Sequence, residues 1–171
     1  MSYGVFLVRL PPGKDRYKAF QDILEQRASA PNDLGSLDPA TEETKRRLAE
    51  ALMARDPDLE LFQRNYAEIA RTRSIDESEA HRLSRDLELN DHRHHIQVMI
   101  FDDAAGLSVS LSGSPQRCAE TLRVFWTCLE VLESQGGFST YDTQIDKVLD
   151  LKSDFAAVVE FACGVTASTS T

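Results

Sequence analysis

The chain has 171 residues, which suits one domain with a hydrophobic core of its own. Hydrophobic residues make up 42% of it and charged residues 27%, and these fractions indicate a soluble globular chain rather than a disordered or membrane one. The formal net charge of −9 repels phosphate backbones, so it disfavours nucleic-acid binding and suits either a solvated surface or a basic protein partner. Because no run of about 18 apolar residues occurs, we expect a cytoplasmic protein with no membrane partner.

The three cysteines are Cys118, Cys128 and Cys163, an odd number without a CxxC pair. Such a pattern predicts neither a disulfide framework nor a structural zinc site. Cys118 and Cys128 fall on one predicted helix at a separation of roughly 15 Å, beyond the reach of a disulfide. We interpret both as small core residues and expect a reducing compartment.

The first half of the chain predicts one strand followed by helices. Residues 5–8 form an apolar run, and the chain reaches two prolines at 11 and 12, which predicts a buried strand over 5–10. Residues 14–27 repeat apolar side chains at three- and four-residue steps, as a helix with one buried face does. The loop over 28–38 ends at an Asp-Pro pair that caps a second helix, which runs to Asp56. Lys45 is expected on the exposed side of this helix.

The second half predicts a hairpin and then a long helix. Residues 96–101 and 107–111 are rich in β-forming side chains and bracket a turn over 102–106, with serines along the wet face of the second strand. Ser114 and the proline after it cap a helix with a continuous apolar stripe. Gly137 closes that helix in the left-handed conformation.

Beyond this helix, residues 138–142 and 145–151 form either one bent strand or a small hairpin. Ser153 is expected to cap a short last helix, and the Thr- and Ser-rich end of the chain is expected to fray. We therefore predict a single α+β domain over 1–151, followed by a C-terminal helix and a partly disordered tail over 152–171.

The element order β-α-α-α-β-β-α-β predicts the α+β class. Within that class it favours a ferredoxin-like split βαβ sandwich, with helices on one sheet face and an elaborated helical first crossover. Such a fold assigns no function by itself, because it supports many.

Residues 66–85 resemble a helix-turn-helix DNA-binding motif, although Ser74 replaces the turn glycine. The second helix would present Arg82 and Arg85 to a major groove, but its acidic start has the wrong sign for phosphates. The alternative is two short helices packed within the first crossover, with Asp76 as an N-cap.

His92 and His94 are the candidate metal ligands, because they would share one face of a strand and imidazole is the commonest transition-metal ligand. A metal centre needs three or four ligands, and Asp102 and Asp103 lie at the far end of the same strand. The alternative is a polar loop leading into the strand. No cofactor is predicted.

Trp126 lies beside the apolar stripe of its helix and is expected to be partly exposed, with Tyr141 as a second contact anchor. Together with Asp102, Asp103 and Asp142 these aromatic residues form the candidate partner-binding set. The alternative for both aromatic residues is ordinary packing at the margin of the core.

Several short motifs resemble a loose group of small uncharacterised bacterial proteins. They are Ser2-Tyr3, Ile100-Phe101-Asp102-Asp103, and the ending Gly136-Gly137-Phe138 followed by Tyr141-Asp142-Thr143-Gln144. In that group the ending usually reads Tyr-Asp-Pro-Gln, and Thr143 stands in place of the proline here. The resemblance implies an accessory or immunity-type protein that binds another protein, with no assigned activity.

Two function classes follow from these patterns, with an enzyme third. The first is a non-enzymatic protein that binds a basic partner through its acidic surface. The second is a DNA-binding regulator that uses residues 66–85. A small-molecule- or metal-binding enzyme comes third, because Ser108, Ser110 and Ser112 lie outside any nucleophile elbow and no catalytic set can be named. The oligomeric state stays open.

Overall fold

The computed structural model describes residues 2–29 and 35–164, so part of the predicted loop and the predicted frayed tail lie outside the described residues. The strands are β1 (Ser2–Val8), β2 (Leu59–Leu61), β3 (Leu87–Asp91), β4 (Ile96–Ile100), β5 (Ala104–Ser110), β6 (Ser139–Asp142) and β7 (Lys147–Val148). The helices are α1 (Arg16–Ser29), α2 (Pro39–Arg55), α3 (Tyr66–Arg73), α4 (Glu77–Leu83), α5 (Pro115–Gly136) and α6 (Phe155–Cys163). Within the described ranges, every helix is too short or too polar to traverse a lipid bilayer.

All seven strands form one sheet in the order β2-β3-β4-β5-β1-β6-β7, and every neighbouring pair is antiparallel. The first strand of the chain therefore lies inside the sheet, where Phe6 is opposite Gly106 on one side and Tyr141 on the other. This arrangement confirms the predicted α+β class.

The two faces of the sheet carry different layers, because side chains alternate along each strand. On the inner face Tyr3, Val5 and Leu7 belong to the main core, which also contains buried residues of α2, α5 and α6. On the outer face Val8 belongs to a smaller core with Phe20 of α1. Helix α1 thus packs on the opposite face from α2, α5 and α6.

Two strands were missed by the sequence analysis. The expected first crossover was entirely helical, but β2 and β3 lie within it and extend the sheet beyond β4. The alternating run Leu87-Glu88-Leu89 was a usable strand signal, since its leucines belong to the inner core while Glu88 lies on the other face. The three-residue β2 is too short for such a pattern.

Helix α2 confirms the predicted capping, but the prediction for Lys45 was wrong. The Asp38 side chain accepts from the backbone N–H of Thr41 at 3.0 Å, and the helix ends at Asp56. Lys45 is only 1% exposed. Its Nζ donates to the carbonyl of Arg85 at 2.7 Å and to Asp102 at 3.0 Å, so a buried charge is paired rather than solvated.

The long helix α5 also agrees with the sequence. Ser114 caps it by accepting from the backbone N–H of Arg117, and Gly137 ends it with φ 65°. The hairpin before it has a shorter turn than predicted, because β5 begins at Ala104 and Gly106 lies within the strand.

The C-terminal strands form a small hairpin rather than one bent strand, with Tyr141 opposite Val148. Ser153 is not the cap of the last helix; Asp154 occupies that position, without a side-chain capping bond. Val158 and Ala162 of α6 are buried in the main core. The short helix is therefore part of the packed structure.

A disulfide between Cys118 and Cys163 joins α5 to α6, with their Cα atoms 5.8 Å apart. The expectation of unpaired cysteines was wrong for this pair and right for Cys128, which is buried and free. The bond spans 45 residues and depends on α6 packing against α5, so no local spacing predicts it.

Lys45→Ala is expected to lower the free energy of unfolding by about 3 kcal/mol, because it leaves the partly buried Asp102 without this cation and the Arg85 carbonyl without its donor. Arg46→Ala, one position along on the exposed side, removes a surface ion pair with Glu43 and should cost less than about 1 kcal/mol. Urea denaturation of both variants measures the difference. Equal losses would contradict the buried role of Lys45.

The disulfide predicts a thiol count. Burial raises the pKa of the Cys128 thiol to about 12. This thiol should therefore not react with thiol reagents while the protein is folded. Cells lysed directly into denaturant with a blocking reagent should yield one labelled cysteine, and prior reduction should yield all three. Mass spectrometry counts the labels, and three labels without reductant would contradict the bond.

Candidate functional site

Trp126 lies inside the protein, contrary to the prediction of partial exposure. It is 5% exposed, packs edge-on against Phe155 at 5.3 Å between ring centroids, and donates its indole N–H to the Leu151 carbonyl at 3.0 Å. Helix α6 covers it, and no pattern within α5 indicates that a distant helix does so. Trp126 therefore contributes to the α5–α6 packing rather than to an exposed contact surface.

Tyr141 is also buried, at 4% exposure, in the smaller core. Its ring stacks on Phe20 with centroids 5.2 Å apart, and its hydroxyl donates to Asp146. That hydrogen bond to a carboxylate raises the pKa of Tyr141 to about 12. Gln21 donates to the same hydroxyl at 3.0 Å, so these contacts hold α1 against β6 and the turn after it.

Asp142 is fully buried and connects the segment after α5 to the start of the chain. Its carboxylate accepts from the Tyr3 hydroxyl and from the backbone N–H of Gln144, at 2.8 Å in the second case. The side chain of Gln144 donates in turn to the carbonyl of Ser2 at 3.2 Å. Burial and this carboxylate raise the pKa of Tyr3. The motif thus fastens the β6–β7 turn to β1.

Asp102 and Asp103 form the turn between β4 and β5, and only one is well exposed. Asp102 lies between Lys45 and Arg85, with its carboxylate 2.5 Å from the Arg85 guanidinium. The Asp103 side chain is 76% exposed and pairs with Arg27. Of the five predicted partner-binding residues, Asp103 alone therefore offers a largely exposed side chain.

The two candidate metal ligands lie in the β3–β4 turn and not on a strand. This agrees with the alternative given above, a polar loop that leads into the strand. His92 is exposed, while His94 Nδ1 is 2.5 Å from the buried carboxylate of Asp91. Across residues 2–29 and 35–164, no group of three or more His, Cys, Asp or Glu side chains is placed to hold a metal.

The helix-turn-helix-like segment forms two short helices, α3 and α4, as its structural alternative predicted. Asp76 caps α4 by accepting from Glu79 N–H at 2.8 Å. Arg82 is paired with Glu79 at 2.7 Å and Arg85 with Asp102, so both arginines that would read DNA make intramolecular contacts. DNA binding through this segment stays a prediction.

The outer face of the sheet carries a groove that the sequence analysis did not identify. Two cross-strand rows run along it: Glu60-Asn90-Gln97-Ser108-Gly4 and Glu88-Met99-Gly106-Phe6. The outer-face groove, of about 480 Å³, lies over Met99, Gly106 and Phe6, with Phe101 at one end and Gln144 at the other. Its lining comes from strands and turns alone, so among the described residues no helix forms its walls.

Two features of this groove had a signal in the sequence. Gly106 is a glycine inside a strand, on the outer face between Ala104 and Ser108, and a Cβ added there would meet no atom within 4 Å, so the glycine leaves open space above the sheet. Phe101 is 37% exposed and also borders a cavity of about 500 Å³ beside Asp102 and Asp103. Only the strand register shows that these residues are neighbours.

Comparisons of the chain with protein-family models, with curated proteins and with solved structures each found no match.

Asp142→Ala is expected to lower the free energy of unfolding by about 2–3 kcal/mol, since the buried Tyr3 hydroxyl and two turn N–H groups lose their acceptor. Thr143→Ala, at the exposed neighbouring position, should change it by no more than about 0.5 kcal/mol. Chemical denaturation compares the two, and an unchanged stability of the Asp142 variant would refute the fastening role.

Proposed function

We propose that this chain is a non-enzymatic protein-binding module of the accessory or immunity type, and that a basic protein segment docks in its outer-face groove. The observation that carries the proposal is the uncovered apolar row at the centre of the sheet. Met99 and Phe6 flank Gly106 there, and Phe101 extends the apolar surface at the end of the groove. An exposed apolar patch surrounded by polar residues is typical of protein-binding sites.

Charge supports a basic occupant. Both cross-strand rows end in carboxylates, Glu60 and Glu88, on the β2–β3 side of the groove, and Asp103 lies beyond Phe101. Glu88 is 3.7 Å from Arg64, whereas Glu60 makes no ion pair within the described residues. A segment whose apolar side chains pack over Gly106 and whose Lys or Arg side chains pair with these carboxylates would complement the surface.

We also propose that β4-β5-β1-β6 is a ferredoxin-like core. Its order is that of a split βαβ unit, with α2 and α5 on the inner face. The likeness to the small bacterial proteins is part of the same proposal, supported by the joint structural role of Tyr3, Asp142 and Gln144. A cytoplasmic location stays a prediction. The Cys118–Cys163 disulfide disfavours it, because disulfides are typical of oxidising compartments.

Gly106→Val tests the docking surface. Its side chain would fill the groove without a clash, and valine suits a strand, so stability should not fall. Ser110→Val, on the same strand and face but outside the groove, is the matched control. Tagged wild type and both variants are used for affinity capture from the native lysate at physiological ionic strength, with and without nuclease, and retained proteins are identified by mass spectrometry.

The wild type and Ser110→Val should retain the same basic protein, Gly106→Val should lose it, and Glu60→Lys should weaken its retention because of charge repulsion. Equal retention by Gly106→Val would show that the partner binds elsewhere and would overturn the groove proposal. Retained DNA that disappears with nuclease, and is reduced by Arg82→Ala, would favour the DNA-binding alternative instead.

A further inference from the structure

A second cavity, of about 370 Å³, lies between the β3–β4 turn and the first turns of α5. Its walls include Arg93, His94, Ser114, Arg117, Glu120 and Thr121. Glu120 is the one carboxylate of the lining, and Asp58 and Asp91 lie behind it on Arg93 and His94. Arg117 has no such carboxylate within the described residues, and this cation points to an anionic ligand.

The histidine is held in place by a buried carboxylate. Asp91 accepts from the backbone N–H groups of Arg93 and His94 at 2.8 and 2.9 Å, and its other oxygen is bound to His94 Nδ1. Because a carboxylate accepts, Nδ1 carries the proton, and Nε2 has no partner among the described residues. In this tautomer Nε2 accepts a hydrogen bond, which the hydroxyl of a monobasic phosphate would donate.

Thr121 provides an independent sign of a ligand. It is only 9% exposed, lines the cavity, and makes no hydrogen bond within the described residues. Thr127, further along the same helix, satisfies its hydroxyl by donating to the Arg123 carbonyl at 3.0 Å. The Thr121 oxygen is not among the fully buried polar atoms that lack a partner, so it is open to the cavity, where an oxygen of a ligand would supply the acceptor.

Arg117 is the cation available to that ligand. A Cβ at Gly113, where φ is 93°, would lie 3.2 Å from the Arg117 Cδ, so the glycine makes room for the arginine stem. Arg117 makes no ion pair among the described residues, whereas Arg93 is 3.1 Å from Asp58. Arg93 would have to share its guanidinium with the ligand.

We propose that this cavity binds a phosphoryl group, either free phosphate or the phosphate of a small phosphomonoester. Donors come to it from a β-turn on one side and from two turns of a helix on the other, which suits a tetrahedral anion with several acceptor oxygens. A planar carboxylate is instead bound edge-on by a single guanidinium. The positive end of α5 adds to the attraction, but the side chains define the site.

The test is an NMR titration of the full chain with inorganic phosphate, phenyl phosphate and acetate at constant ionic strength. Phosphate and phenyl phosphate should shift the signals of His94, Gly113, Arg117 and Thr121 in a saturable way at millimolar concentrations. The ligand with the lower dissociation constant shows whether the cavity prefers the free ion or an ester. Arg117→Gln should weaken binding about tenfold, while Arg123→Gln, an exposed arginine of α5 outside the cavity, should leave it within about twofold.

Thr121→Val separates a binding role from a structural one. Because the Thr121 hydroxyl makes no hydrogen bond in the described structure, its removal should leave the melting temperature unchanged and still weaken phosphate binding several-fold. Absence of saturable shifts would overturn the proposal. So would equal effects of Arg117→Gln and Arg123→Gln, which indicate unspecific attraction, and so would acetate binding as tightly as phosphate.

Discussion

The position of β1 inside the sheet, between β5 and β6, is the constraint on which the rest of the structure depends. Its inner face is covered along the strand, where Tyr3, Val5 and Leu7 pack in the main core, and its outer face is covered near its end, where Val8 packs with α1 in the smaller core. Where both faces are covered, the strand has to be apolar at successive positions, which accounts for the run from Val5 to Val8. Since α1 packs at the end of β1 near Val8, the outer face nearer its beginning is left open as the groove.

Buried polar groups connect the elements around that sheet. Lys45 joins α2 to the β4–β5 turn, Asp142 joins the β6–β7 turn to β1, and Asp91 closes the β3–β4 turn on His94. A desolvated charge is tolerated only with partners, so each of these contacts also determines the position of the turn that it holds. Several acidic residues that looked like contact residues therefore stabilise the protein from within, and the net charge overstates how much of its acidity is free to meet a partner.

The two proposed binding places share no lining residue. The outer-face groove is an apolar strip with carboxylates at its margin, which suits a peptide segment of a basic protein. The cavity beside α5 is polar and includes Arg117, a cation without an ion pair in the described residues, which suits a small anion. Because the two sites differ in lining and in chemistry, an experiment that disproves binding at one leaves the proposal for the other unchanged.

The sequence by itself determined those features whose causes lie within a few residues of one another. The Asp38 and Ser114 caps, the glycine end of α5, its apolar stripe and the alternation of β4 and β5 are local effects of backbone and side-chain geometry, and the structure confirms them. Only the tertiary structure decided the pairing of Cys118 with Cys163, the burial of Lys45 and Trp126, and the assembly of both cavities. Each of these depends on a partner tens of residues away, and burial and pairing are properties of both partners together. The sequence pattern of one segment does not predict which distant segment will pack on it.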